Sequence, residues 1–282
     1  MIIVKLKGGL GNQLFQYAFG RLLSIKNNAP VEYYFEETQK GDAQRSYKLK
    51  AFNVKLDIAS TDTVKKIEYP FGAISKIVRK AWRKISNEHN IGYVPAMINK
   101  TNGYFDGYWQ SYKYLEPIKN ALLAEISLKN PIENKYSDIV KNMREKNSVS
   151  VHIRRGDYAS DSKTKSVWQT FGLEYYEHAF QIIKNEVQNP TLFVFSDDIG
   201  WAKENLKSDM PMTFVSQPGM QDFEELILMS KCKHNIIANS SFSFWGAWLN
   251  QNPSKIIIAP KKWNNVQQKE YRDLLPQEWI KI

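Results

Sequence analysis

Ile2-Ile3-Val4-Lys5-Leu6-Lys7-Gly8-Gly9-Leu10-Gly11-Asn12-Gln13-Leu14-Phe15-Gln16-Tyr17-Ala18 carries three signals in order. A short β-branched run reads as a strand. Three glycines within four residues read as a tight loop. Leu14, Phe15, Ala18, Phe19, Leu22 and Leu23 then recur at helical spacing. Strand, glycine loop and helix open a nucleotide-binding type of α/β unit. Further along, from Ser148, the same alternation becomes regular. Apolar runs at Val149–Ile153, Leu192–Phe195, Thr213–Val215, Ile236–Ala238 and Ile256–Ala259 read as strands. Helical stretches at Glu174–Val187, Trp201–Leu206, Asp222–Cys232 and Phe244–Leu249 separate them. Strands alternating with helices imply a parallel, doubly wound sheet. Residues 30–135 show short apolar pieces and many aromatics without clean alternation. The polar stretch Asn142–Ser148 is the expected boundary, giving an N-terminal domain over 1–145 and a C-terminal domain over 146–282.

Composition narrows the classes. With 43% hydrophobic and 24% charged residues the chain is globular rather than disordered. Thirty-nine basic against 29 acidic residues give a net charge of +10, which predicts an anionic partner: nucleic acid, an acidic membrane surface or a phosphorylated small molecule. Cys232 is the only cysteine, so no intramolecular disulfide exists and a reducing compartment is expected. No apolar run reaches the roughly 18–20 residues that cross a bilayer, and Lys5 and Lys7 interrupt the first run too early for a signal peptide. A cytoplasmic protein is the expectation. No internal repeat stands out.

In open parallel sheets, ligands bind beyond the carboxyl ends of the strands. Gly8-Gly9-Leu10-Gly11-Asn12-Gln13 follows the first strand. It matches neither Gly-x-Gly-x-x-Gly nor a Walker loop, and reads as a phosphate or sugar site or as an ordinary turn. His152-Ile153-Arg154-Arg155-Gly156-Asp157-Tyr158 follows the second. Adjacent arginines at a strand end suit bidentate phosphate binding without a metal; surface ion pairing is the alternative. In an extended segment neighbouring side chains diverge, so one arginine is expected to face the ligand. Ser196-Asp197-Asp198 ends the next strand, with hydrogen bonding to a ribose or base set against helix capping by Asp198. No Asp-x-Asp occurs in the chain, and Asp222-Phe223-Glu224 reads as a helix opening. Asn239-Ser240-Ser241-Phe242-Ser243 stands at a further strand-to-helix junction, offering donors to an anion or plain N-caps. Cys232 sits in an apolar helical context and is expected to be inert. No Cys/His spacing suggests zinc. Of the four histidines only His152 shares a segment with other candidate groups.

Taken together, Gly8–Gln13 with Leu14-Phe15-Gln16-Tyr17-Ala18, His152–Tyr158, Ser196–Asp198 and Asn239–Leu249 resemble the family 11 glycosyltransferases, the α-1,2-fucosyltransferases. The resemblance runs in order over nearly the whole chain. It implies a GT-B-like α/β fold, two Rossmann-like domains with parallel sheets and a cleft between them. It also implies inverting transfer of L-fucose from GDP-L-fucose to the 2-hydroxyl of a terminal galactoside, with no metal and no other cofactor. The donor should sit mainly on the C-terminal domain, with the N-terminal domain on the acceptor side. Ser241 and Phe244 depart from Thr and Trp in many members.

On that reading Arg154 is the principal β-phosphate clamp, because a leaving diphosphate without metal needs protein cations and oriented N–H groups. Arg155 assists or holds the loop. Gly9, Gly11, Gln13, His152, Asp197, Asp198, Asn239, Ser240, Ser241, Phe242 and Ser243 are expected around the donor. Asn12 would lie near the donor's phosphate and sugar. Asp157 is a candidate base for the acceptor hydroxyl or a loop-ordering partner of an arginine. A galactose-containing oligosaccharide or lipid-linked glycan is the expected acceptor, in surface-glycan or O-antigen synthesis. Another GDP-sugar on the same scaffold is the nearer alternative. A nucleic-acid-binding protein is the one from another class, weakened by dispersed basic residues and the absence of a recognisable module.

Two stretches bear on partners. Ile74, Ile77, Val78, Ala81, Trp82 and Ile85 share one helical face, and Lys76, Arg79, Lys80, Arg83 and Lys84 the other. This is the pattern of an interfacial membrane helix, giving peripheral contact with an anionic membrane, or of an ordinary amphipathic helix packed on the N-terminal half. The aromatic run Tyr104–Tyr114 reads as an acceptor wall or as core.

Overall fold

A computed structural model describes residues 1–35, 47–69, 71–72, 74–75, 91–155, 171–264 and 269–282. Asp157 and all but the first two residues of the 74–85 stretch lie outside them. The chain divides into two compact units: Met1–Lys129 with Glu270–Leu274, and Asn130–Lys269 with Leu275–Ile282.

In the first unit, β1 (Ile2–Leu6) lies between β2 (Val31–Phe35) and β3 (Gly103–Phe105), all parallel, with register Val4 to Tyr33 and Val4 to Phe105. Helix α1 (Leu10–Asn27) packs on this sheet and ends at Asn28, whose φ of 47° is left-handed. A second helix, α2 (Thr61–Glu68), is capped by Ser60. Phe19 stacks on Trp109 at 4.1 Å and meets Phe105 and Tyr114 edge-on. Phe105, Trp109 and Tyr114 are therefore core, while Tyr108 and Tyr112 stay half-buried. Beneath α1, the Glu125 carboxylate at the end of α3 (Lys119–Glu125) accepts from Tyr17 Oη at 2.5 Å. It also accepts from Arg21 Nε and Nη2 at 2.9 and 2.7 Å. Glu270–Leu274 returns to this unit late in the sequence. The Ser111 hydroxyl donates to the Asp273 carbonyl at 2.6 Å and Lys113 pairs with its carboxylate at 2.7 Å. A Cβ on Gly92 would stand 2.1 Å from the Glu270 carbonyl oxygen, so the close approach requires glycine.

The second unit holds a six-stranded parallel sheet. Its strands are β4 (Asn147–Ile153), β5 (Pro190–Ser196), β6 (Met212–Phe214), β7 (His234–Ile236), β8 (Ile257–Ala259) and β9 (Ile280–Lys281), in spatial order β6-β5-β4-β7-β8-β9. Sequence periodicity located the first five and missed β9, which is two exposed residues long. β5 is buried throughout and β4 in all but its first residue, as an interior parallel strand covered on both faces must be. Helices α4 (Glu133–Glu145), α5 (Leu173–Glu186), α6 (Ile199–Asn205), α7 (Asp222–Lys231) and α8 (Ser241–Trp248) accompany it. Tyr176, Ala179, Phe180 and Ile183 of α5 pack on Val149, Val151 and Ile153. The polar stretch 142–148 lies inside this unit, where α4 runs into β4.

The strand order places the site. From β4 the chain winds outward through β5 and β6, then crosses back to β7 on the other side of β4. The carboxyl ends of β4 and β7 thus flank a topological switch point, where such sheets leave a crevice.

Candidate functional site

Register brings the first groups together. Ile153 pairs with Ser196, so the next residues on the two strands, Arg154 and Asp197, leave the sheet side by side. Arg154 Nη1 lies 2.9 Å from Asp197 Oδ2, and Asp197 Oδ1 accepts the backbone N–H of Arg155, also at 2.9 Å. Asp198 caps α6, its Oδ1 accepting from Trp201 N at 3.1 Å, while its Oδ2 stands 3.8 Å from Arg155 Nε. The Arg155 guanidinium lies over the Trp201 ring, 3.8 Å from the centroid. Both aspartates expected at a ribose or base thus bracket the arginine pair, and Asp198 fills its capping role.

His152 is buried one residue before the pair's strand ends. Its ring lies 5.5 Å from that of Phe242, and its carbonyl accepts from Tyr176 Oη at 3.2 Å. Burial pushes the imidazole down to about 4, with Asp197 opposing and Arg154 adding to the shift, so it is neutral at pH 7. The unfolded chain takes up this proton near pH 6.5 and the folded chain does not. Stability is therefore present above pH 6.5 and declines as pH falls towards 4, by up to about 3 kcal/mol from this group. His152→Gln should flatten the dependence of Tm on pH in that window; unchanged slopes would contradict it.

At the β7–α8 junction, Ser240 is the N-cap and its Oγ accepts from Phe242 N at 3.3 Å. Asn239 Nδ2 donates to the Trp263 carbonyl at 3.0 Å and the Ser243 hydroxyl donates to the Ala238 carbonyl at 3.3 Å, so these two are turned into the protein. Ser241 and Phe242 stay half-buried at the start of the helix.

In the first unit Gly8 has φ of 76°, and a Cβ there would stand 2.7 Å from Asn12 Nδ2. The left-handed φ is what favours glycine there, and the tip of the Asn12 side chain fills the space beside it. Gly9 is the N-cap of α1, with open space where a Cβ would be. Gly11 is buried in the helix. Gln13 is buried and braces the loop, its Nε2 donating to the Gly8 carbonyl at 2.9 Å and its Oε1 accepting from Lys48 N at 3.0 Å. Asn12 Oδ1 accepts from Gln110 Nε2 at 2.6 Å.

Sequence reading missed Gln110, hidden in the aromatic run, and Trp201, which looks like an ordinary helical aromatic. It also missed Glu225, half-buried on α7. Burial raises the Glu225 carboxyl to about 7, helped by Asp197 and Asp222 and opposed by a hydrogen bond from Ser216. Among the described residues no group of three or more His, Cys, Asp or Glu could hold a metal ion, and no helix is long and apolar enough to cross a membrane.

Two guanidiniums at a switch point, beside a helix start rich in hydroxyls, suit an anionic ligand. The chain is 30% identical to the O-antigen biosynthesis glycosyltransferase WbnK of Escherichia coli, over 98% of this chain and 99% of the relative. It is 31% identical to an α-1,2-colitosyltransferase of Escherichia coli, over 100% and 99%. Identity to galactoside α-(1,2)-fucosyltransferase 2 of Sus scrofa is 23%, over 86% and 67%. Among solved structures, the fucosyltransferase NodZ from Bradyrhizobium superposes with a TM-score of 0.54 at 12% identity, over 87% and 91%, which is the GT-B type of fold. The family model for glycosyl transferase family 11 matches residues 1–282, and the chain belongs to that family.

Proposed function

We propose that this glycosyltransferase moves L-fucose from GDP-L-fucose to the 2-hydroxyl of a terminal galactoside, forming an α-1,2 linkage with inversion, in surface-glycan or O-antigen synthesis. The observation that carries the reading is the arginine pair at the end of β4, fixed by Asp197 and Asp198 beside the switch point. As the C1–O bond of the donor breaks, its electron pair stays on the β-phosphate. Arg154 is the main clamp on that charge, and Arg155 and donors of the Ser240–Ser243 junction assist. His152 and Phe242 wall the same pocket without charge, and Asp197 and Asp198 act through the arginines. With fixed guanidiniums neutralising the leaving group, no divalent ion or other cofactor is required on this reading. The acceptor oxygen attacks C1 from the opposite face and loses its proton to a base, for which Asp157 is the candidate. The second unit is the donor side. The first is the acceptor side, and Gly9, Gly11, Asn12 and Gln13 of its glycine loop are its candidate sugar-binding residues. The acceptor is a galactose-containing oligosaccharide or lipid-linked glycan, met on the cytoplasmic side with residues 74–85 touching anionic lipid.

The 31% identity to a colitosyltransferase supports a second reading, a GDP-linked deoxy sugar other than fucose on the same scaffold. A donor screen separates the two. Purified protein with EDTA and a galactoside panel should release GDP fastest from GDP-L-fucose. Preference for GDP-colitose establishes the second reading, and strict dependence on added divalent ions overturns the charge argument.

A further inference from the structure

We propose that Trp201 is a positioning residue that fixes the plane of the Arg155 guanidinium, so that its edge rather than its face meets a diphosphate. The proposal rests on the reading of the site as a nucleoside diphosphate-sugar site. The two arginines are held by different means. Arg154 is held by charge, through Asp197 at 2.9 Å. Arg155 is held by its backbone N–H on the same carboxylate and by its flat face on the indole, 3.8 Å from the ring centroid.

A stacked guanidinium keeps its in-plane N–H donors for a ligand, whereas a close ion pair uses them. Arg155 fits that description: its side chain stays 27% exposed, its buried Nε has no hydrogen-bond acceptor among the described residues, and Asp198 Oδ2 stands 3.8 Å from that Nε. The indole is itself fixed. Asp198 Oδ1 accepts the backbone N–H of Trp201 as the helix cap, which fixes the main chain that carries the ring, and Trp201 packs against the hydrophobic cluster formed by β4, β5 and α5. One carboxylate therefore caps the helix that carries the ring and stands 3.8 Å from the guanidinium stacked on it, so the helix start, the ring and the guanidinium form one bracket.

The test is GDP affinity by titration calorimetry on the intact protein, with Trp201→Leu, Trp201→Phe, Arg155→Met and the double variant Trp201→Leu/Arg155→Met. Leucine keeps apolar packing without a π face; phenylalanine keeps the face. Trp201→Leu should weaken GDP binding about 10-fold, and Trp201→Phe should stay within about threefold of wild type. In the Arg155→Met background Trp201→Leu should cost less than about twofold, because the partner it positions is gone. Equal losses for leucine and phenylalanine, or the same loss in both backgrounds, would overturn the proposal and leave the donor reading standing. Wild-type protein that binds no GDP would overturn the donor reading and this proposal with it.

Discussion

Replacing Arg154 by alanine is expected to leave a folded protein whose turnover is at least about 100-fold slower, the usual cost of losing one preorganised donor to a developing anion. Folding should survive because Arg154 is part-exposed at a strand end and its partner Asp197 keeps the Arg155 N–H on Oδ1. The loss should appear in kcat, since the clamp acts on charge that grows as the C1–O bond breaks. Arg154→Lys should recover little of it. A point ammonium cannot present two parallel donors while also holding Asp197. GDP release from GDP-L-fucose at saturating acceptor is the measurement, and turnover close to wild type in the alanine variant would remove Arg154 from the mechanism.

The largest expected effect on stability lies in the first unit. Glu125 is buried and takes hydrogen bonds from Tyr17 and from both Nε and Nη2 of Arg21. Burial alone would raise its carboxyl, but the bonds from Arg21 and Tyr17 and the Arg21 charge hold it below the usual range. Glu125→Ala leaves a largely buried guanidinium without its counter-charge, a change that costs about 3–5 kcal/mol. Urea unfolding should show a matching fall in the midpoint, and a loss under about 1 kcal/mol would mean that Arg21 finds another partner. Arg21→Met/Glu125→Leu removes both charges and should recover most of the loss.

The second unit was largely legible in the sequence because its strands recur between helical stretches: buried β5 writes a continuous apolar run over Leu192–Phe195, and β4 alternates Val149, Val151 and Ile153 with Ser150 and His152. The arginine pair stood out for the complementary reason: two cations directly after a buried strand have no packing explanation. The bracket around them did not. Asp197 reads as a ligand group until register with β4 sets it beside Arg154. In the first unit β3 is three residues long, and the aromatics around it bury through stacking on Phe19 rather than through any period. Gln110 shares that camouflage, being a buried amide between Trp109 and Ser111 whose partner, Asn12, is remote in sequence.

The five residues Glu270–Leu274 have a consequence for synthesis. The first unit is begun by residues made well before the second, yet Ser111, Tyr112 and Lys113 bond to Asp273 or Leu274, with Ser111 and Asp273 separated by 162 positions. Its last backbone partners emerge only after β4 to β8 of the second unit have been made. Vectorial folding therefore leaves the first unit incomplete while most of the second is being made.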